Sequence, residues 1–229
     1  MKFLVLALGM CAVATAAPQD LPLVEVPARA PEKDFLALMI SGDGGWASLD
    51  QELSAALAAR GVPVVGLNSL KYFWQPRSAE QTSADVGQLI ERYTSQWRKQ
   101  RVLLIGYSFG ADVMPAVFNR LSPESRARVT SINLLGLGPA ATFEVTLGEW
   151  LPGADRKGAP VLPEIAKFGS TPALCIDGEG EKDSMCPGLK QLGIEVRQIG
   201  SGHHFSGLAS EIADAILELA GRAKPAATP

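Results

Sequence analysis

Histidine and cysteine are scarce in this chain. It contains 2 histidines and 3 cysteines among 229 residues, and no apolar run is long enough to span a membrane. Lys and Arg total 21 against 24 Asp and Glu, a formal net charge of −3 without the basic stretches of a nucleic-acid-binding protein. The Cys, His, Asp and Glu residues lack metal-ligand spacing, so the sequence predicts neither a metal site nor a cofactor.

The N-terminus has the pattern of a secretory signal peptide. Met1-Lys2 precedes an apolar core from Phe3 to Val13, and the small residues Ala14-Thr15-Ala16 follow. We therefore predict a signal peptide over residues 1–16 and one domain over 17–229, in an oxidising compartment.

The most informative motif is Gly106-Tyr107-Ser108-Phe109-Gly110. It follows the apolar run Val102–Ile105 and precedes a helix-compatible stretch from Ala111 to Leu121. A buried strand that turns sharply into a helix and exposes a serine is the nucleophile elbow of the α/β-hydrolase fold. This pattern predicts that Ser108 is a nucleophile.

The two histidines are adjacent and lie downstream of the serine. His203 and His204 follow a predicted strand, Ile194–Ile199, and a glycine loop, which is where this fold carries its general base. We favour His203 because it directly follows the loop glycine Gly202. His204 is the alternative.

An acidic turn lies between the serine and the histidines. It follows the predicted strand Pro172–Ile176, and a carboxylate there would orient the imidazole and stabilise its cation. We choose Asp183, three residues after Gly180, with Asp177 as the alternative. The resulting order of serine, acid and histidine is that of the fold.

Two backbone donors are needed for the oxyanion that forms during acyl transfer. Phe109 follows the nucleophile and supplies one. The second is expected from Asp43 or Gly44, in the glycine-rich segment after the apolar strand Phe35–Ile40.

Cys175 and Cys186 flank the acidic turn. In an oxidising compartment they are expected to form a disulfide bond.

Strands and helices alternate along the chain. Ser48 with Gln51, and Ser78 with Gln81, match capping boxes at helix starts, and apolar runs separate the helices. This pattern predicts an α/β-hydrolase fold, with a mostly parallel sheet of about six or more strands and helices on both faces. The segment 136–170 has little periodicity and is expected to form part of a substrate cover.

Several motifs together resemble the VirJ/AcvB family of bacterial periplasmic virulence proteins. They include Ser41–Trp46, Asn68–Trp74, Ile105–Asp112 and Gly202–Phe205. The resemblance implies a periplasmic serine hydrolase that releases lysine or alanine from aminoacyl-phosphatidylglycerol. It also implies the roles of Ser108, Asp183 and His203 given above, and an association with type IV secretion.

The expected substrate is therefore an ester at the membrane surface. Candidate substrate contacts are Tyr107, Tyr72, Trp74 and His204, and the Lys71–Trp74 segment could touch lipid head groups or pack on its own domain. Two other functions fit the sequence. One is a general periplasmic carboxylesterase or thioesterase, and the other is a non-catalytic module of a secretion assembly.

Overall fold

A seven-stranded sheet organises the domain. The computed structural model describes residues 21–29, 33–145 and 158–223, so the predicted signal peptide lies outside the described residues. The main sheet contains β1 (Leu23–Val26), β2 (Phe35–Ile40), β3 (Val64–Leu67), β4 (Arg101–Tyr107), β5 (Val129–Leu135), β8 (Ala173–Glu179) and β9 (Glu195–Ser201). A small second sheet pairs β6 (Ala140–Ala141) with β7 (Ala159–Pro160).

The strand order is β1-β3-β2-β4-β5-β8-β9. All pairs in this sheet are parallel except β1 with β3, which is an antiparallel edge pair. Parallel strands bring their carboxyl ends to one edge of the sheet, and ligands usually bind outside that edge. The loops after β2, β4, β8 and β9 therefore meet there, and these are the four loops that carry the predicted site.

Eight α-helices in the described part of the chain connect and cover the strands. They are α1 (Ser48–Ala59), α2 (Ser69–Tyr72), α3 (Ala79–Gln96), α4 (Phe109–Arg120), α5 (Pro123–Arg128), α6 (Leu162–Ile165), α7 (Cys186–Leu189) and α8 (Ala209–Arg222). The strand residues alternate between two apolar cores. One core packs against α3 and α4, and the other against α1 and α8. The predicted α/β-hydrolase architecture, with helices on both faces, is confirmed.

One of the two predicted capping boxes forms. The Gln81 amide donates to the Ser78 hydroxyl, and the Ser78 amide donates to the Gln81 side chain, at the start of α3. At α1 the prediction was wrong, because Ala47 is the N-cap and its amide donates to a carboxylate oxygen of Asp50. Gln51 instead donates to the Trp46 carbonyl.

Part of the segment 136–170 folds over the carboxyl edge. The Val145 amide donates to the Phe73 carbonyl and the Arg77 amide to the Phe143 carbonyl, so this segment contacts the chain after α2. Residues 146–157 of the expected cover lie outside the described residues. Among the described helices, none is both long and apolar enough to cross a membrane.

Candidate active site

Ser108 lies in a strained turn between β4 and α4. Its φ angle is 51°, a left-handed value that non-glycine residues rarely adopt, and its amide donates to the Leu135 carbonyl at 2.8 Å. Strain of this kind concentrates at functional sites, where the surrounding structure enforces it.

The two glycines of the motif allow backbones to approach closely. A Cβ at Gly106 would lie 2.4 Å from the Gly110 carbonyl oxygen, and one at Gly110 would lie 2.1 Å from the carbonyl oxygen of Ile40 at the end of β2. Side chains at these positions would push α4 away from β2 and β4. The glycines therefore place Ser108 against the end of β2.

His203 binds the serine. Its Nε2 lies 2.7 Å from the Ser108 Oγ, and its ring stacks on that of Tyr107 with centroids 5.7 Å apart. The neighbouring His204 is exposed, and its ring makes a T-shaped contact with that of His203, with centroids 6.0 Å apart. Of the two candidates for the base, only His203 makes this contact with Ser108.

Glu181, and not the predicted Asp183, contacts the other ring nitrogen of the histidine. The Glu181 Oε1 lies 2.5 Å from the His203 Nδ1, and the second carboxylate oxygen accepts a hydrogen bond from the Gly178 amide at 3.2 Å. The Glu181 side chain is 10% exposed. Asp183 lies two residues further along the turn, where it is exposed to solvent.

The alternative acid, Asp177, has a different role. It is buried at the end region of β8 and accepts a hydrogen bond from the Ser184 hydroxyl at 3.0 Å. That hydroxyl in turn accepts from the Cys186 amide. Asp177 therefore ties the far side of the acid loop, residues 177–186, back to the sheet.

The predicted disulfide between Cys175 and Cys186 is present. It joins β8 to the start of α7, and both residues are fully buried. The bridge thus closes the acid loop covalently at its base, with Glu181 inside the closed ring.

Glycines also hold the acid and base loops together. A Cβ at Gly178 would lie 2.1 Å from the Gly202 carbonyl oxygen, and the Gly202 amide donates to the Glu179 carbonyl. Gly136, after β5, lies beneath the imidazole, since a Cβ there would be 2.7 Å from the His203 Cε1. A substituent at Gly136 would displace the ring from Ser108.

The loop between β2 and α1, residues 41–47, approaches the serine through Gly42. The position of a Cβ at Gly42 is 3.7 Å from the Ser108 Cβ and 3.4 Å from the Tyr107 ring. Asp43 is half-buried, whereas Gly44 is exposed and a Cβ there would meet no atom within 4 Å. Phe109 begins α4, so its amide is one of the first in that helix. The assignment of oxyanion donors to Phe109 and to Asp43 or Gly44 stays a prediction.

Tyr107 contacts His203 through its hydroxyl as well as through its ring. Its hydroxyl donates to the His203 carbonyl at 3.3 Å. Burial, and then the charges of Asp50, Asp43 and Glu181, raise the pKa of Tyr107 to about 12. The phenol therefore stays neutral at physiological pH and keeps its proton for this hydrogen bond.

The two aromatic candidates after β3 are placed differently. Tyr72 is buried in the core and its hydroxyl donates to the Asp85 carboxylate at 2.5 Å, so the expectation that it contacts substrate is not supported. Burial and this carboxylate raise the pKa of Tyr72 above its usual range. Trp74 is 55% exposed, two residues along the chain. The intervening Phe73 packs against Phe109, with ring centroids 4.9 Å apart.

Sequence reasoning missed Glu181, Gly136 and Gly42. Glutamate serves as the acid in this fold as well as aspartate, so Glu181 was available from the same turn. Gly136 has a positive φ of 63° directly after the buried β5, which sequence alone does not display. Within the described residues, no group of three or more His, Cys, Asp or Glu could hold a metal ion.

The sequence model of a family described as bacterial virulence protein (VirJ) matches residues 34–224. This range contains every residue of the site described above. No curated protein shows significant sequence similarity to the chain.

Three solved structures with similar folds are distant from this chain in sequence. Est1E from Butyrivibrio proteoclasticus, in a structure with ferulic acid bound, aligns with a TM-score of 0.61 and 12% identity, covering 88% of this chain and 95% of that one. A lipase-esterase related protein from Clostridium acetobutylicum aligns with a TM-score of 0.60 and 13% identity, covering 87% of this chain and 99% of that one. The thioesterase domain from the curacin biosynthetic pathway aligns with a TM-score of 0.57 and 18% identity, covering 85% of this chain and 94% of that one. At such identities the similarity establishes the shared fold.

Proposed function

Because the chain belongs to the VirJ family of bacterial virulence proteins, we propose that it is a periplasmic serine hydrolase that cleaves the aminoacyl ester of aminoacyl-phosphatidylglycerol. The observation that carries the hydrolase assignment is the continuous relay from Ser108 through His203 to Glu181. Its two hydrogen bonds measure 2.7 and 2.5 Å. The lipid substrate comes from the family resemblance and is the more specific part of the proposal.

In the first half-reaction, the Ser108 Oγ attacks the ester carbonyl carbon while the His203 Nε2 accepts the hydroxyl proton. Glu181 holds the imidazole by its Nδ1–H and stabilises the imidazolium that forms. The carbonyl oxygen becomes an oxyanion, for which the Phe109 amide and an amide of the 41–47 loop are the proposed donors. Collapse of the intermediate expels the glycerol oxygen of phosphatidylglycerol, which takes the proton from His203, and leaves an aminoacyl-serine.

In the second half-reaction, His203 takes a proton from water as the water oxygen attacks the aminoacyl-serine. The Ser108 oxygen then leaves and recovers its proton from the imidazolium. The products are the free amino acid, phosphatidylglycerol and the unchanged enzyme.

The surroundings of Trp74 support a substrate at a membrane surface. Its exposed indole lies next to Phe73, which contacts Phe109 beside the nucleophile, and the nearby Lys71 is also exposed. Tryptophan is enriched at membrane–water interfaces, and lysine is attracted to anionic head groups. The net charge of −3 opposes binding to an anionic membrane, but a cationic lysyl lipid weakens that repulsion.

The test uses lysyl- and alanyl-phosphatidylglycerol in mixed micelles, with release of the amino acid measured by mass spectrometry. We expect release by the purified protein and a loss of about 10³-fold or more in Ser108→Ala, because nucleophile and base act as one unit. Ser95→Ala, an exposed serine on α3, is the matched control and should retain full activity. Equal rates for the parent protein and Ser108→Ala would refute the assignment of the nucleophile.

A general carboxylesterase or thioesterase is the second candidate, and the esterase and thioesterase folds among the similar structures favour it. Parallel assays on a short-chain nitrophenyl ester and an acyl thioester separate the two functions. Faster turnover of these substrates than of the aminoacyl lipids would favour the general hydrolase. A Ser108→Ala strain with the full cellular phenotype of the parent would instead favour a non-catalytic role in a secretion assembly.

A further inference from the structure

Asp50 is a buried carboxyl group that the proposed reaction does not use. It lies in the first turn of α1 and is 2% exposed. Its Oδ2 accepts a hydrogen bond from the Ala47 amide at 3.3 Å, while its Oδ1 is buried without a hydrogen-bond partner. A buried carboxylate oxygen without a partner is strongly unfavourable when it carries charge.

This carboxyl group contacts the 41–47 loop at Ala47, and the same loop approaches the nucleophile at Gly42. The Gly42 amide faces Asp50 closely enough to lower its pKa, although not in ordinary hydrogen-bond geometry. Gly42 itself approaches the Ser108 Cβ and the Tyr107 ring. Asp50 is therefore linked to the proposed oxyanion site through one short piece of backbone.

The charges around Asp50 are acidic rather than basic. At the end of β4, the negative charges of Asp50, Asp43 and Glu181 add to the effect of burial in raising the pKa of Tyr107. The helix α8 packs along α1, but its Asp214 pairs with Arg60 at the far end of α1. Among the groups of the described residues that shift the pKa of Asp50, none is a cation.

We propose that Asp50 is a positioning residue that holds the 41–47 loop against the nucleophile in its neutral form, and that its ionisation slows acyl transfer. A neutral carboxyl still accepts the Ala47 hydrogen bond and leaves Oδ1 uncharged. An ionised one places a negative charge behind the backbone that must stabilise the oxyanion, which opposes the reaction. The inference rests on the proposed role of Ser108 as the nucleophile, but not on the identity of the substrate.

The direction of the pKa agrees with this arrangement. Burial raises the pKa of Asp50 from 3.8 to about 7, against the smaller opposing effect of the amides of Ala47, Asp50 and Gly42. The group thus changes charge near neutral pH. The neighbouring phenol does not, since the pKa of Tyr107 is about 12.

The test is the rate at which an uncharged fluorophosphonate modifies Ser108 in the full protein between pH 6 and 9. The serine oxygen displaces fluoride from phosphorus, His203 takes the proton, and the phosphonyl oxygen occupies the oxyanion site. We expect the rate of the parent protein to fall roughly tenfold between pH 6 and 9, the range over which Asp50 changes charge, since removing one oxyanion-stabilising effect has consequences of this size or larger. Asp50→Asn, which mimics the neutral carboxyl, should show no such fall and should match the parent protein at pH 6.

Glu52→Gln is the matched control, because it removes an exposed carboxylate from the same helix. It should keep the alkaline decline of the parent protein. A flat parent profile, or the same decline in Asp50→Asn, would overturn the role of Asp50. Absence of labelling at every pH would instead remove Ser108 as the nucleophile, and labelling without cleavage of aminoacyl lipid would refute only the substrate.

Thermal unfolding gives a readout that does not depend on activity. Since the folded-state pKa lies above the unfolded value, the parent protein loses stability as pH rises from about 4 through 7, with the loss complete above that range. Asp50→Asn should therefore melt higher than the parent protein at pH 8, and the gap should narrow toward pH 4. An equal difference in melting temperature at both pH values would show that the carboxyl does not ionise in the folded protein over this range.

Discussion

The elbow and the acid loop position their functional side chains in different ways. In the elbow, residues 106–110, backbone meets backbone, and the two glycines leave no space for any side chain between α4 and the strands. In the acid loop, residues 177–186, Glu181 is held by an amide hydrogen bond, by the Asp177–Ser184 contact and by the disulfide. The geometry of the elbow is determined by five adjacent residues, whereas that of the acid loop depends on contacts that form only in the folded protein.

The elbow should therefore tolerate no added methyl group. Gly110→Ala would place its Cβ 2.1 Å from a main-chain oxygen of β2. We expect a loss on the order of 4 kcal/mol in unfolding free energy, because neither backbone can move without separating the helix from the sheet. Denaturant titration measures it.

Gly221→Ala in α8 is the control for this change. A Cβ there meets no atom within 4 Å, and alanine is the better helix former. We expect this variant to gain up to about 1 kcal/mol. A Gly110→Ala protein as stable as the parent would mean that the close approach of α4 to β2 is not required.

In the acid loop, we expect turnover to depend on the charge of Glu181 rather than on the size of its side chain. Glu181→Gln keeps the size of the side chain but removes the carboxylate that pairs with the imidazolium, and we expect turnover of an ester to fall about 10²- to 10⁴-fold. Asp183→Asn should leave turnover unchanged because that side chain is exposed. Steady-state kinetics on both variants decides which acid orients the histidine. A larger loss of turnover in Asp183→Asn than in Glu181→Gln would assign that role to Asp183.

Removing the disulfide should have a smaller effect than either Gly110→Ala or Glu181→Gln. Its two cysteines are 11 positions apart, and closing a loop of this length stabilises a protein by about 2–3 kcal/mol in the chain-entropy model. The double variant Cys175→Ala, Cys186→Ala should lose about that much in denaturant titration. Its turnover should also fall at temperatures where it is still folded, since the loop that carries Glu181 is less constrained.

Unchanged turnover in the folded double variant would limit the bridge to a stabilising role. Free thiols in protein isolated from the native compartment under non-reducing conditions would argue against the bridge itself. Both outcomes leave the prediction for the elbow unaffected, because neither cysteine belongs to residues 106–110.

Local patterns in the sequence determined the sheet, the elbow and the base. Ser108 and the apolar strand before it were predictable because the elbow is built from adjacent residues, and the bounds of β2 match the predicted strand Phe35–Ile40. His203 was predictable because the chain has only two histidines, both in the loop after one strand.

Only the tertiary structure decided which acid meets the base. Asp183 and Glu181 share one turn, and the choice depends on how Gly178 and Gly202 pack, which brings Glu181 to the imidazole and leaves Asp183 in solvent. The burial of Tyr72 and of the Asp50 carboxyl was equally hidden, because both depend on elements far apart in the chain. Local patterns fix backbone conformation through short-range sterics, whereas the partners of a side chain are set by distant segments that only the folded sheet brings together.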